Sequence, residues 1–164
     1  MVRDWAVRLP QGASVLDLGC GSGWPVTTAL VEAGLDVHGI DASPTLVAAF
    51  RDRLPGVPVH CERVEESGFF GRAFGAATAI GLVFLLEEEA QRALLSRIAD
   101  QLVPGGRLLF SSPWQKAEWE DLQTGLPSRS PGRGVYRDWM TKAGLDPMAE
   151  PSADGIHHFE ARKP

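Results

Sequence analysis

The stretch Asp17-Leu18-Gly19-Cys20-Gly21-Ser22-Gly23 decides the fold. It puts a carboxylate at the end of the apolar run Val15 to Leu18, then three glycines at alternating positions, just before a segment of helical periodicity. A glycine turn at such a junction lets a ligand approach bare main chain at the start of a helix, where N–H groups point outward. Counted from Gly19, the dinucleotide fingerprint G-x-G-x-x-G needs a glycine at position 24, where Trp24 stands. A pyrophosphate cradle is therefore disfavoured.

Strand and helix patterns alternate outward from this turn. Val26, Ala29, Leu30 and Ala33 recur at helical spacing until Gly34. Val37 to Ile40 reads as a second strand, and Asp41-Ala42-Ser43-Pro44 offers Ser43 as N-cap with Pro44 at the first helical position. Leu46, Phe50 and Leu54 line the helix that follows. Val57 to Cys61 and Phe74 to Ile80 read as the third and fourth strands, and Arg107 to Ser111 as the fifth. The helix before the fifth strand carries Leu94, Ile98 and Leu102, opens on Glu87-Glu88-Glu89 in favourable contact with its dipole, and ends at Pro104-Gly105-Gly106. This alternation predicts an α/β fold with a doubly wound, mostly parallel sheet.

Beyond Ser111 the pattern breaks. Pro113 to Arg133 is polar and rich in Gly, Pro and Ser yet holds Trp114 and Trp119, and reads as an irregular functional surface loop. Tyr136 to Ala143 reads as a helix ending at Gly144, and Leu145 to Glu150 with Ile156 to Ala161 as an antiparallel hairpin closing the sheet.

Composition narrows the function classes. The 164 residues suit a single domain, 1–164, whose regular alternation, 1–112, gives way to a less regular part, 113–164. Acidic residues outnumber basic ones, 21 to 16, which disfavours a surface that neutralises phosphates, so nucleic acid is an unlikely partner. The hydrophobic share of 44% allows a buried core. Cys20 and Cys61 stand in no zinc or CxxC spacing and read as reduced thiols, with no metal expected. The longest mainly apolar run, Ala73 to Leu86, has 14 residues, short of the roughly 20 that a membrane helix needs. Met1 to Leu9 carries Asp4 and no apolar core, so no signal peptide is expected, and the chain is expected in the cytoplasm.

Asp41 ends the second strand twenty positions after Gly21, where a carboxylate can accept hydrogen bonds from both hydroxyls of a ribose. Together with the glycine turn it describes a nucleoside site without a phosphate cradle. In these residues, and in Pro104-Gly105-Gly106 before the fifth strand, the stretch Ala13 to Pro113 resembles the class I S-adenosylmethionine-dependent methyltransferases. The resemblance implies a three-layer α/β/α sandwich around a seven-stranded sheet with an antiparallel C-terminal hairpin. It also implies methyl transfer to a nucleophile, most simply on a small molecule, with S-adenosylhomocysteine as product.

Site residues carry over position by position. Asp17 would orient the loop and, directly or through water, the methionine amino group. Gly19, Gly21 and Gly23 would leave room for the ligand, and Cys20 stands among these cofactor-binding positions as a small packing residue with no chemistry. Asp41 and Ala42 would face the ribose, Val64 and Glu65 the adenine, and Ile80-Gly81 the methionine end. The tail, with Trp119-Glu120-Asp121, Thr124-Gly125 and Tyr136, is similar to small bacterial methyltransferases. Phe84, Trp114, Trp119 and Tyr136 are the candidate substrate contacts.

A hydroxyl or thiol acceptor needs a base, for which His157, His158, Tyr136 and Asp121 are unranked candidates; an amine arriving neutral needs only positioning. His157 and His158, adjacent on a strand, point to opposite faces and do not share a metal. Two departures stand out. Phe74 is followed by Gly75 where the family commonly has Asp, and only fourteen residues precede the first strand, so the N-terminal helices that cover the substrate in much of the family are expected to be largely missing. Acceptor contacts would then come mainly from the C-terminal third or from a partner, with the chain a monomer or homodimer. The rival readings are a cofactor-binding regulator or partner subunit without transfer activity, and a nicotinamide enzyme, which the failed G-x-G-x-x-G spacing disfavours.

Overall fold

The computed structural model describes residues 1–148, 150–153 and 156–164. The elements run in the order α1 (Val2–Ala6), β1 (Ser14–Leu18), α2 (Val26–Glu32), β2 (Asp36–Asp41), α3 (Pro44–Arg53), β3 (Val59–Cys61), β4 (Phe74–Ala79), α4 (Glu88–Gln101), β5 (Leu102–Ser111), β6 (Ala117–Glu120), β7 (Pro127–Ser130), α5 (Arg133–Lys142), β8 (Asp146–Pro147), β9 (Ser152–Ala153) and β10 (Ile156–Arg162). The main sheet has the order β3-β2-β1-β4-β5-β10-β8, seven strands along its path, with β9 pairing off it against the start of β10. β1 to β5 are parallel, and β10 runs antiparallel to both β5 and β8. The chain winds outward from β1 to β3 on one side and from β4 onward on the other. The crevice between β1 and β4 is thus the switch point where such sheets bind ligands.

Strand pleating sorts the side chains into two layers. Val15, Val37, Ala76 and Leu109 pack with Trp5, Leu9, Leu30 and Leu35 of the α1 and α2 layer. Leu16, Leu18, Ala77, Ala79, Leu108 and Phe110 face Leu94, Leu95, Ile98, Tyr136 and Met140 of α4 and α5. The central strand β4 presents alanines to both layers. Ser43 caps α3 by accepting from the Leu46 amide at 3.3 Å, with Pro44 at the first helical position, as the sequence suggests.

Four expectations are corrected. Leu46 is exposed, and α3 buries Val47 and Phe50 instead. Leu102 belongs to β5 rather than to the helix before it, and Pro104-Gly105-Gly106 lies inside β5 as a bulge. There the register jumps from Phe74↔Leu102 to Ala76↔Arg107. Residues that end a helix also suit a bulge, because both need a backbone freed from the ladder.

Pro113 to Arg133 is no plain loop: it contains the antiparallel ribbon β6–β7, with Trp119 opposite Ser128. The closing strands β8 and β10 pair antiparallel, as the sequence suggests. β10 inserts between β5 and β8, and the described pairing of β8 is limited to Asp146 and Pro147. The expected strand from Leu145 to Glu150 includes Ala149, which lies outside the described residues.

On β10, the buried Glu160 accepts from Arg8 Nη2 and from Arg107 Nη1 of β5, each at 3.1 Å. Both arginines are partly exposed and return to water when the carboxylate is removed. Glu160→Ala should therefore lower the unfolding free energy by about 1–3 kcal/mol in urea titration, with Glu160→Gln losing less.

Candidate active site

The chain leaves β1 and folds back across Gly19 to Gly23. The Gly19 and Cys20 amides both donate to the Ile40 carbonyl of β2, at 2.8 and 3.1 Å, and the Gly23 amide donates to the Cys20 carbonyl at 3.0 Å. Asp41 closes the arrangement. Its Oδ2 accepts from the Gly21 amide and its Oδ1 from the Ser43 amide, both at 2.9 Å, so one carboxylate ties the glycine loop to the start of α3. Each oxygen keeps acceptor capacity for a further donor.

Gly21 has φ +55 and Gly81, just past β4, has φ +73. Nothing stands within 4 Å of where a Cβ would sit on either residue. The main chain at these two points borders open space in a conformation that other residues adopt only at a cost. Ala42 is exposed beside Asp41. Cys20 is turned inward: a Cβ on Gly39 would stand 2.8 Å from its Sγ, and burial pushes its thiol pKa up, reinforced by the charges of Asp17 and Asp41.

Asp17 lies beneath the loop, 1% exposed. Thr27 Oγ1 of α2 donates to its Oδ2 at 2.6 Å and Thr78 Oγ1 of β4 to its Oδ1 at 2.8 Å. Burial pushes its pKa up to about 6, against the opposing pull of those two hydroxyls and with a small push from Asp41. The carboxylate clamps β1, α2 and β4 together and so holds the loop above it, the orienting role expected from the sequence.

Val64 and Glu65 follow β3. Val64 is buried in the core, so it can offer only its main chain and the edge of its side chain. Glu65 pairs with Arg63 at 2.7 Å; burial opposes its charge, but the arginine outweighs burial and holds the carboxyl below the usual range. Sequence reasoning missed Arg97 of α4, whose guanidinium donates to the carbonyls of Val64 at 2.8 Å and Glu65 at 3.0 Å and also bonds that of Ser67. A lone arginine amid helical residues gives no local sign of such a role.

Next to Gly81 opens a cavity of about 390 Å³ lined by Phe84, Ser111, Ser112, Pro113, Gln115, Trp119, Ile156 and His157. Phe84 and Trp119 meet at 5.4 Å between ring centroids with a 45° tilt. His157 stacks on Trp114 at 4.1 Å, and its Nδ1 lies 2.9 Å from Ser152 Oγ. Trp114 thus backs the cavity through the imidazole. Of the residues singled out from the sequence, Phe84, Trp119 and His157 come together here. Ser111, Ser112, Gln115 and Ile156 carried no signal beyond their neighbourhood.

Three base candidates are corrected. Tyr136 is wholly buried, its hydroxyl donating to Gln91 Oε1 at 2.7 Å and lying 2.9 Å from Ser112 Oγ, and burial raises its phenol to about 12. It supports the cavity floor from behind, through Ser112. His158 is turned to the other face of β10 and buried, which pulls its pKa down. Asp121 Oδ2 accepts from the amides of Gln123 and Thr124 and from the Thr124 hydroxyl, organising the tip of the ribbon.

Residues 15–106, more than half of the chain, match a family described as a methyltransferase domain. The chain belongs to this family. It is 36% identical over 133 residues to the cypemycin N-terminal methyltransferase of a Streptomyces species, a match covering 79% of this chain and 53% of that protein. It is 33% identical over 109 residues to the aklanonic acid methyltransferase DauC of Streptomyces sp. strain C5, covering 62% of this chain and 49% of that one. The chain spans about half the length of these relatives. Among solved structures it is similar to CalS10, an amino pentose methyltransferase from Micromonospora echinaspora with SAM bound. The TM-score is 0.81 at 21% identity, over 99% of this chain and 90% of that one, a likeness of fold.

The Asp17 clamp has a pH signature. With its folded-state pKa raised from 3.8 to about 6, the folded chain keeps a proton that the unfolded chain has released between those values. The contribution of Asp17 to stability is therefore full below pH 3.8 and declines as pH rises to about 6. Asp17→Asn is neutral at every pH and shows no such decline. Its unfolding free energy relative to the parent should climb across this window and level off above it; a difference that stays constant from acid to neutral pH would refute the raised pKa.

Proposed function

We propose that the chain is an S-adenosylmethionine-dependent methyltransferase acting on a small-molecule acceptor. The observation that carries this reading is the wall shared by two spaces: the Gly81 amide, bordering the open ground beside the glycine loop, donates to Ser111 Oγ of the cavity lining at 2.8 Å. A ligand laid along the ends of β1, β2 and β4 would thus end beside a second ligand in the cavity. The residues suit this cofactor. Asp41 offers a carboxylate for the ribose hydroxyls, the bare main chain of Gly21 and Gly81 leaves room for the methionine moiety, and the Val64–Glu65 segment offers main-chain groups to adenine.

S-adenosylmethionine bound there supplies a methyl group on a cationic sulfur that leaves as a neutral thioether. The chain therefore has to position more than to activate, and holding two reactants at attack geometry contributes on the order of 7–11 kcal/mol. Asp17 and Asp41 keep the glycine loop in shape. Phe84 and Trp119 hold the acceptor, and a hydroxyl or thiol acceptor gives its proton to His157 or to water. Among the described residues no helix is long and apolar enough to cross a membrane. The proposal is of a cytoplasmic protein, monomeric or homodimeric, with 1–112 serving the cofactor and 113–164 closing the acceptor side.

Calorimetric titration with S-adenosylhomocysteine, with NAD as the comparison, tests the reading without knowledge of the acceptor. Saturable binding of the first alone is expected, and its absence from the folded protein overturns the proposal. Asp41→Asn should weaken that binding by about 10- to 100-fold while the protein stays folded. Gly21→Ala and Gly12→Ala form a matched pair, since both glycines have positive φ and open space around them, and Gly12 lies before β1, away from the loop. Both should lose about 1 kcal/mol of stability or somewhat more. Only Gly21→Ala should also lose affinity for S-adenosylhomocysteine.

A further inference from the structure

The cavity beside Gly81 is unusual in its electrostatics. Its described lining has two aromatic rings, Phe84 and Trp119, the apolar Pro113 and Ile156, and the polar Ser111, Ser112, Gln115 and His157, with no Asp, Glu, Lys or Arg. Lys116, next to Gln115 in the chain, is not among the lining residues, and two arginines of this part of the fold are already matched. Arg133 lies over the Trp114 ring at 5.2 Å and is paired with the buried Glu150, and Arg129 is paired with Glu87. A carboxylate or phosphate entering this space would leave water without gaining a counter-charge, which a buried anion does not tolerate.

The polar groups divide into used and unused. Ser111 Oγ accepts from the Gly81 amide, and Ser112 Oγ is bound to the Tyr136 hydroxyl. Gln115 makes no side-chain hydrogen bond to a described residue. His157 is held on two sides, its ring face by Trp114 and its Nδ1 by Ser152 Oγ. With the proton on Nδ1 donated to that hydroxyl, Nε2 keeps its lone pair for a ligand.

We infer that the cavity takes an uncharged aromatic acceptor whose ring lies against Phe84 and Trp119 and whose hydroxyl or N–H donates to His157. This rests on the methyltransferase reading and names the substrate class of the same site. A volume of about 390 Å³ falls at the small end of ligand pockets, in keeping with a compact ring system rather than a peptide or a polymer. Ser152 then acts as a positioning residue, setting which imidazole nitrogen faces the ligand.

The test uses three probes of one ring system: 2-naphthol, 2-naphthoate and 2-methoxynaphthalene, measured by equilibrium dialysis against the full chain, alone and with S-adenosylhomocysteine. 2-Naphthol should bind at least about tenfold more tightly than the anionic naphthoate. It should also bind several-fold more tightly than 2-methoxynaphthalene, which has the same ring and no hydrogen to donate. His157→Ala should remove the preference for naphthol over the methoxy compound, and His157→Gln, which keeps an acceptor, should restore part of it. Trp119→Ala should weaken all three probes together.

Naphthoate binding as tightly as naphthol, or a preference for naphthol that survives in folded His157→Ala, overturns the inference. Binding of S-adenosylhomocysteine with no binding of 2-naphthol also overturns it and leaves the methyltransferase reading standing. Failure of S-adenosylhomocysteine to bind removes that reading instead.

Discussion

A single buried carboxylate sets the geometry on which the rest depends. Asp17 receives one hydroxyl from α2 and one from β4, so the strand that starts the fold, the helix that follows the glycine turn and the strand across the crevice share one fixed point. The two threonines offset part of the cost of burying the acid, and the cost that remains appears as its raised pKa. Above this anchor the turn can be made of main chain alone. Its Gly19, Cys20 and Gly21 amides are taken by Ile40 and Asp41, and at Gly21 its outer surface stays bare.

The second half of the site hangs on a different buried polar group. The Gln91 side chain of α4 donates to the carbonyls of Leu86 and Arg129 and accepts from the Tyr136 hydroxyl, which in turn meets Ser112 at the cavity floor. One amide thereby joins the turn after β4, the β6–β7 ribbon, α5 and β5. Two networks thus fix two spaces, and the Gly81–Ser111 bond is where they touch.

What could be read from the sequence was what local backbone demands had written there. Positive φ at a strand end requires glycine, a helix start favours Ser43-Pro44, and a strand alternates its faces, so His157 and His158 had to part. Residues whose meaning depends on distant partners were opaque. Gln91 and Arg97 look like ordinary polar positions of an amphipathic helix, and their burial or bonding is decided by Tyr136, Arg129 and Val64, dozens of residues away. Tyr136 was legible as an aromatic near the site but not as a fully enclosed one. The β6–β7 ribbon escaped notice because Pro127-Ser128-Arg129-Ser130 is polar on both faces and shows no hydrophobic alternation. In Pro104-Gly105-Gly106 the chemistry was read correctly as a break in regular structure but assigned to the wrong element.

The place of β10 in the sheet has a consequence for the order in which the protein can be assembled. β1 to β5 are made first and can pair among themselves as they emerge from the ribosome, bringing the glycine loop and Asp41 together early. β8 is made before β10 but, among the described residues, pairs with no other strand of the sheet, and β10 slots between it and β5. Ile156 and His157 arrive on that same strand. The side of the molecule that carries the glycine loop can thus mature while synthesis continues, whereas the cavity wall is completed only when β10 emerges.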